Sequence, residues 1–130
     1  MQVGYELALL SVYAFVMGGL LILQAGLATR QLGVKYILSP RDKRERLTGF
    51  AGRADRAMQN CIVAMALFAP AVLAVQVQGQ NSALTMLAAQ VFVLSRIVYV
   101  ASYLTGIRYV RSAAFGLGFL ATMYLYIAAL

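Results

Sequence analysis

A chain of 130 residues has room for one domain. Hydrophobic residues make up 62% of it and charged residues 12%, with a mean hydropathy of +0.79, more than a water-soluble core of this size can bury. The net charge of +7 raises nucleic acid as a partner, but eight of the eleven basic residues lie between Arg30 and Arg56, beside apolar runs. That is the distribution of a topology signal meeting anionic headgroups, so no nucleic-acid partner is expected. The composition specifies an integral, multi-pass membrane protein.

The chain has no histidine and a single cysteine, Cys61. An intrachain disulfide is excluded, and both metal catalysis and Ser-His chemistry lack their usual groups, so no metal is expected. The first apolar run is too long for a cleavable signal and lacks a basic leader, so it reads as a retained helix.

The first span is expected over residues 7–28, close to the ~20 residues a bilayer needs. Glu6 stands at its outer end, where an acid suits a helix N-terminus. Gly18, Gly19, Ala25 and Gly26 are small enough for another helix to approach closely. Gln24 is the one strongly polar side chain inside, placed to bond a neighbouring helix or to reach a ligand. Residues 30–52 form a basic connection containing Gly33, Pro40, Gly49 and Gly52. Its run Arg41-Asp42-Lys43-Arg44-Glu45-Arg46 mixes signs and suits a short surface helix as well as a solvated loop.

The second span, residues 54–77, opens with Arg53-Ala54-Asp55-Arg56-Ala57-Met58-Gln59-Asn60. At 3.6 residues per turn, Arg53, Arg56 and Asn60 share a stripe that ends apolar at Val63 or Ala64. Such a stripe either snorkels to anchor the helix end or forms a binding surface at the membrane edge. Pro70 is predicted to kink this span. Residues 76–82 are an uncharged turn, and Ser82 is placed to cap the third span, residues 82–105. Gly106 breaks the pattern before the fourth span, residues 109–130. There Gly116 and Gly118 allow close packing, Ala114, Gly118 and Thr122 form a seam of small residues, and Tyr124 and Tyr126 fit an interfacial belt.

The first connection is basic, the second is uncharged, and the third holds Arg108 and Arg111. With four spans the first and third connections share a side, which the positive-inside bias makes cytoplasmic, leaving both termini outside.

Arg96 lies about 13 Å inside a hydrocarbon core about 30 Å thick. It needs a carboxylate, carbonyls or a wet cavity, yet no span offers an acid at its depth. Tyr99 and Tyr103 follow on the same face, either as interface packing or as part of a site. With Arg56, Asn60, Arg111 and Ser112 they can converge at one depth, forming a cationic, donor-rich pocket with an apolar lipid side. Such a pocket suits a ligand with several carboxylates from the cytoplasm, met by a lipophilic partner from the bilayer.

The motifs Arg56-Ala57-x-x-Asn60, Arg96-x-x-Tyr99-x-x-x-Tyr103 and Arg111-Ser112 resemble those of the MAPEG family, the membrane-associated proteins in eicosanoid and glutathione metabolism. Residues 95–112 are especially similar to bacterial members, and the resemblance covers essentially the whole chain. It implies an all-α, four-helix transmembrane bundle assembled as a homotrimer in a bacterial inner membrane. Glutathione would bind between neighbouring subunits on the cytoplasmic side. Arg56, Asn60, Arg96, Tyr99, Tyr103 and Ser112 would hold it, with Arg111 beside the thiol as the catalytic group and Arg53, Gln59 and Gln24 as secondary candidates. A nearby guanidinium favours thiolate over thiol and so supplies a nucleophile without histidine.

The chain departs from the family pattern at several places. Gln59 replaces a common arginine, and Val63 replaces the glutamate that would receive the ligand's amino group. Tyr99 stands where several relatives have histidine, and Phe115 where a tyrosine is common. At about 1.5–3 kcal/mol per charged hydrogen bond, these losses weaken glutathione binding by one or more orders of magnitude. The leading expectation is glutathione, or a related anionic thiol, conjugating or reducing a lipophilic substrate. The alternative is a non-catalytic member of the same fold that binds lipid or a partner. A small four-helix multidrug transporter is a poorer match, since it needs an acid within the first span and Glu6 lies at the edge.

Overall fold

Backbone polar groups inside a bilayer must pair within their own segment, and every long apolar run in this chain is helical. The computed structural model describes residues 4–130. It contains α1 (Tyr5–Leu32), α2 (Val34–Leu38), α3 (Gly49–Val77), α4 (Ala83–Thr105) and α5 (Arg108–Ala129). All but α2 are long and apolar enough to cross a membrane. Even α5, with 22 residues, reaches about 33 Å.

Local chemistry sets the helix ends. Ser82 Oγ accepts from the Thr85 amide at 3.2 Å while Thr85 Oγ1 accepts from the Ser82 amide at 2.8 Å, a complete capping box that starts α4. Gly106, at φ 82°, takes the left-handed turn that ends it. In the first connection the helical part, α2, lies upstream of the charged run, and residues 41–46 are irregular. Arg41 instead spends its guanidinium on the Ile37 carbonyl at the end of α2, at 3.0 Å from Nη2. The Thr48 amide donates to Gln31 Oε1 at 2.8 Å and the Gln31 amide returns to the Thr48 carbonyl at 3.2 Å, folding the connection back onto α1.

The core joins three helices through aromatic rings. Phe68 of α3 and Phe92 of α4 stack at 3.8 Å, and Tyr13 of α1 meets both edge-on at 6.2 and 5.0 Å. The Tyr13 hydroxyl, fully buried, donates to the Cys61 carbonyl at 2.9 Å. Helix α5 closes the bundle along the small-residue seam. Ala114, Gly118 and Thr122 are all buried, and a Cβ added at Gly118 would stand 2.8 Å from Ser95 Oγ. Gly18, Gly19, Gly26 and Gly116 face outward, with nothing within 4 Å of an added Cβ, so they pack no helix of this chain.

Two further side chains, Glu6 and Tyr126, make contacts beyond those expected of them. Glu6 does more than face a helix N-terminus. It is buried, accepts from Asn81 Nδ2 at 2.9 Å and from the Thr85 hydroxyl, and so ties the start of α1 to the start of α4. Helix α3 continues through Pro70. Pro70 leaves the Ala66 carbonyl without its helical donor, and beside it the Tyr126 hydroxyl donates to the Leu67 carbonyl at 2.6 Å. Tyr126 thus bonds within the bundle instead of serving only as a belt residue.

Because Ser95 Oγ is itself held on the Phe92 carbonyl at 2.8 Å, it cannot swing clear of a side chain at position 118. Gly118→Leu should therefore destabilise the protein by about 1–3 kcal/mol. Thermal unfolding in detergent checks this, with Gly116→Ala expected to leave the transition no lower than the parent's.

Candidate functional site

The site is built where α3, α4 and α5 meet, at the end of the bundle carrying both basic connections. Arg96 is 2% exposed, and among the described residues no carboxylate lies within ion-pairing distance of it. Its Nη2 donates to Asn60 Oδ1 at 2.9 Å and to Cys61 Sγ at 3.1 Å. Its guanidinium carbon lies 4.1 Å from the centre of the Tyr99 ring. A desolvated cation over an aromatic face gains about 2 kcal/mol, which offsets part of the cost of burial. Its Nε has no hydrogen-bond partner. One donor of a buried cation is left open.

The expected residues connect through the two tyrosines of α4. Tyr99 and Tyr103, one turn apart, have ring centres 5.7 Å from each other. The Tyr103 hydroxyl accepts from Arg56 Nε at 3.1 Å, and the face of the same ring carries Arg111 at 4.8 Å. Asn60, Tyr99, Tyr103, Arg111 and Ser112 line one open mouth of about 340 Å³. Phe115 lines it too, and also borders a second cavity of about 120 Å³ that runs deeper into the bundle. That cavity has Arg96 at its boundary and otherwise apolar walls, among them Val63, Leu67, Phe92 and Phe119. A cationic, donor-rich mouth therefore adjoins an apolar slot. Such a pair suits an anionic head and a greasy group brought together at one place.

Three secondary candidates lie elsewhere. Arg53 Nε donates to the Leu104 carbonyl at 3.1 Å, where a cation complements the C-terminal end of α4. Gln24 and Gln59 both bond Asp55, at 3.2 and 3.3 Å, on the opposite flank of α3. Sequence reasoning missed two participants. Cys61 is the group that shares Arg96 with Asn60, and only its place next to Asn60 hinted at this. Asp55 was passed over because it breaks the arginine stripe. Among the described residues, no group of histidine, cysteine and acids is placed to hold a metal ion.

A bundle of four apolar spans enclosing a buried arginine defines a multi-pass integral membrane protein. The chain belongs to the MAPEG family, whose model matches residues 7–130. No curated protein and no solved structure matches it.

Arg96 is more costly when its acceptor is removed than when it is removed itself, because an unpaired buried cation keeps its desolvation penalty. Asn60→Leu should destabilise the protein by about 1.5–3 kcal/mol, and Arg96→Met by clearly less. Denaturant unfolding of both variants in the same detergent orders the two effects.

Proposed function

We propose that this MAPEG-family protein binds glutathione, or a related anionic thiol, and transfers it to a lipophilic substrate. The observation that carries the reading is Arg96, a buried guanidinium with no acid and one open donor, which borders the apolar slot and touches the mouth through Asn60 and Tyr99. An anionic visitor supplies the missing charge. Asn60, Tyr99, Tyr103 and Ser112 line the mouth in which the ligand's backbone would lie. Arg56 stands beside it on the Tyr103 hydroxyl.

Arg111 is the group assigned to the thiol. Its guanidinium lies over Tyr103 at the mouth and favours the thiolate, the thiol proton passing to water. In conjugation the thiolate forms a bond to an electrophilic carbon, and the leaving group departs with its electron pair. In reduction of a peroxide, two thiols supply two electrons and become a disulfide. The lipophilic substrate enters from the bilayer into the slot under Phe115. Basic connections on the cytoplasmic face of a bacterial inner membrane, and assembly as a homotrimer with the ligand between subunits, belong to the same proposal.

A second reading, a non-catalytic member that binds lipid or a partner, draws on Val63 and Gln59. Val63 gives the slot an apolar wall where an amine receptor would stand, and Gln59 is held away on Asp55. Calorimetric titration of the detergent-solubilised protein with millimolar glutathione separates the two. Heat and an ultraviolet thiolate signal are expected for the parent. Arg111→Ala should lose the thiolate signal while keeping its assembly state, and Arg96→Leu should lose the heat. Absence of both signals in the parent favours the second reading.

A further inference from the structure

On the other flank of α3, the first connection and the ends of α1 and α3 enclose a wide basin of about 1260 Å³ that shares only Arg56 with the residues placed at the thiol mouth. Charges of both signs line it. Asp55 is half-buried, its two carboxylate oxygens each held by an amide: Gln24 Nε2 at 3.2 Å on Oδ1 and Gln59 Nε2 at 3.3 Å on Oδ2. A carboxylate has room for about four donors, and among the described residues no cation lies within ion-pairing distance of this one. Four arginines line the basin as well: Arg41 is held on the Ile37 carbonyl and Arg56 on the Tyr103 hydroxyl, while Arg44 and Arg46 have no side-chain partner among the described residues.

A simple anion entering this basin meets the arginines but leaves Asp55 without a cation. A simple cation meets the reverse. A molecule carrying both charges answers both kinds of group. The rest of the lining says where that molecule comes from. Leu32, Ile37 and Leu47 give the basin apolar patches, and α2 beside it exposes Val34 at 58% and Leu38 at 80%, which places the connection in the lipid interface.

We propose that this basin binds the headgroup of an aminophospholipid of the phosphoethanolamine type. The phosphate pairs with Arg44 and Arg46, and the primary ammonium donates to the free acceptor sites of Asp55. The two glutamine amides aim the carboxylate, which explains why polar residues on α1 and α3 converge there. A quaternary ammonium cannot donate a hydrogen bond, and a glycerol hydroxyl donates to Asp55 without a compensating positive charge. The site therefore discriminates phosphatidylethanolamine from phosphatidylcholine and phosphatidylglycerol. This holds whether or not glutathione binds on the opposite flank.

Native mass spectrometry of the full-length protein, released from nanodiscs containing the three lipids in equal amounts, tests it. Phosphatidylethanolamine should be retained about tenfold over phosphatidylcholine, one such contact amounting to about a factor of ten in affinity. Asp55→Asn keeps an oxygen for the glutamines and removes the charge, so the preference should fall to near one. Arg44→Gln with Arg46→Gln should lower retention of phosphatidylethanolamine and phosphatidylglycerol together. If Asp55→Asn is not recovered folded, exposed Gln59→Ala replaces it and should reduce the preference. Equal retention of the three lipids by the parent, a preference for phosphatidylglycerol, or an unchanged preference in the position-55 variant (or its replacement) overturns the proposal. Excess soluble phosphoethanolamine should leave the lipid bound; displacement would assign the basin to a water-soluble zwitterion and overturn the lipid source.

Discussion

A guanidinium held in a low-dielectric interior must have its donors answered, and the arrangement of three helices follows from how Arg96 is answered. Asn60 and Cys61, neighbours on α3, both accept from its Nη2, which sets the register of α3 against α4. Tyr99 on its own helix covers the guanidinium face. Tyr13 of α1 in turn holds the Cys61 carbonyl, so the first helix supports the acceptor that supports the cation. None of these partners is an acid. The charge is solvated by dipoles and a π-face, which stabilises it without neutralising it. That leaves an unneutralised cation at the border of the slot.

The ends of the bundle are clamped by polar contacts of a different kind. At one end Glu6 bonds Asn81 and Thr85. At the other, Arg53 reaches the last turn of α4 and Arg56 reaches Tyr103, while Gln31 and Thr48 close the first connection. The aromatic stack of Phe68, Phe92 and Tyr13 fills the space between. Hydrophobic burial contributes little to helix association inside lipid, so such packing and hydrogen bonding are what hold the spans together. The outward-facing glycines of α1 are then surfaces for something other than this chain's own helices.

Helix α3 separates two polar territories. Asp55 and Gln59 are four apart, as are Arg56 and Asn60, and adjacent positions differ by about 100° around the axis. One pair turns toward the basin under the first connection and the other toward the Arg96 mouth, with Arg56 at the boundary of both. A single helical stretch of six residues thereby contributes side chains to both territories.

The amino-acid order alone determined the membrane class, four apolar helices, the capping of the third span by Ser82 and the break at Gly106. These depend on composition, periodicity and backbone chemistry within a few residues. It also marked Arg96 as a cation within an apolar span that holds no acid, since that is a matter of reading along one helix. Only the tertiary structure decided that Cys61 and the Tyr99 ring answer Arg96, that Arg53 is spent on the Leu104 carbonyl, and that Glu6 is buried instead of lying at a surface. It also decided that Gln24 and Gln59 meet on Asp55. Periodicity assigns a residue to a face of its own helix. Which neighbour that face meets, and at what rotation and height, is set by the mutual packing of side chains on different helices, and no local run of sequence encodes it.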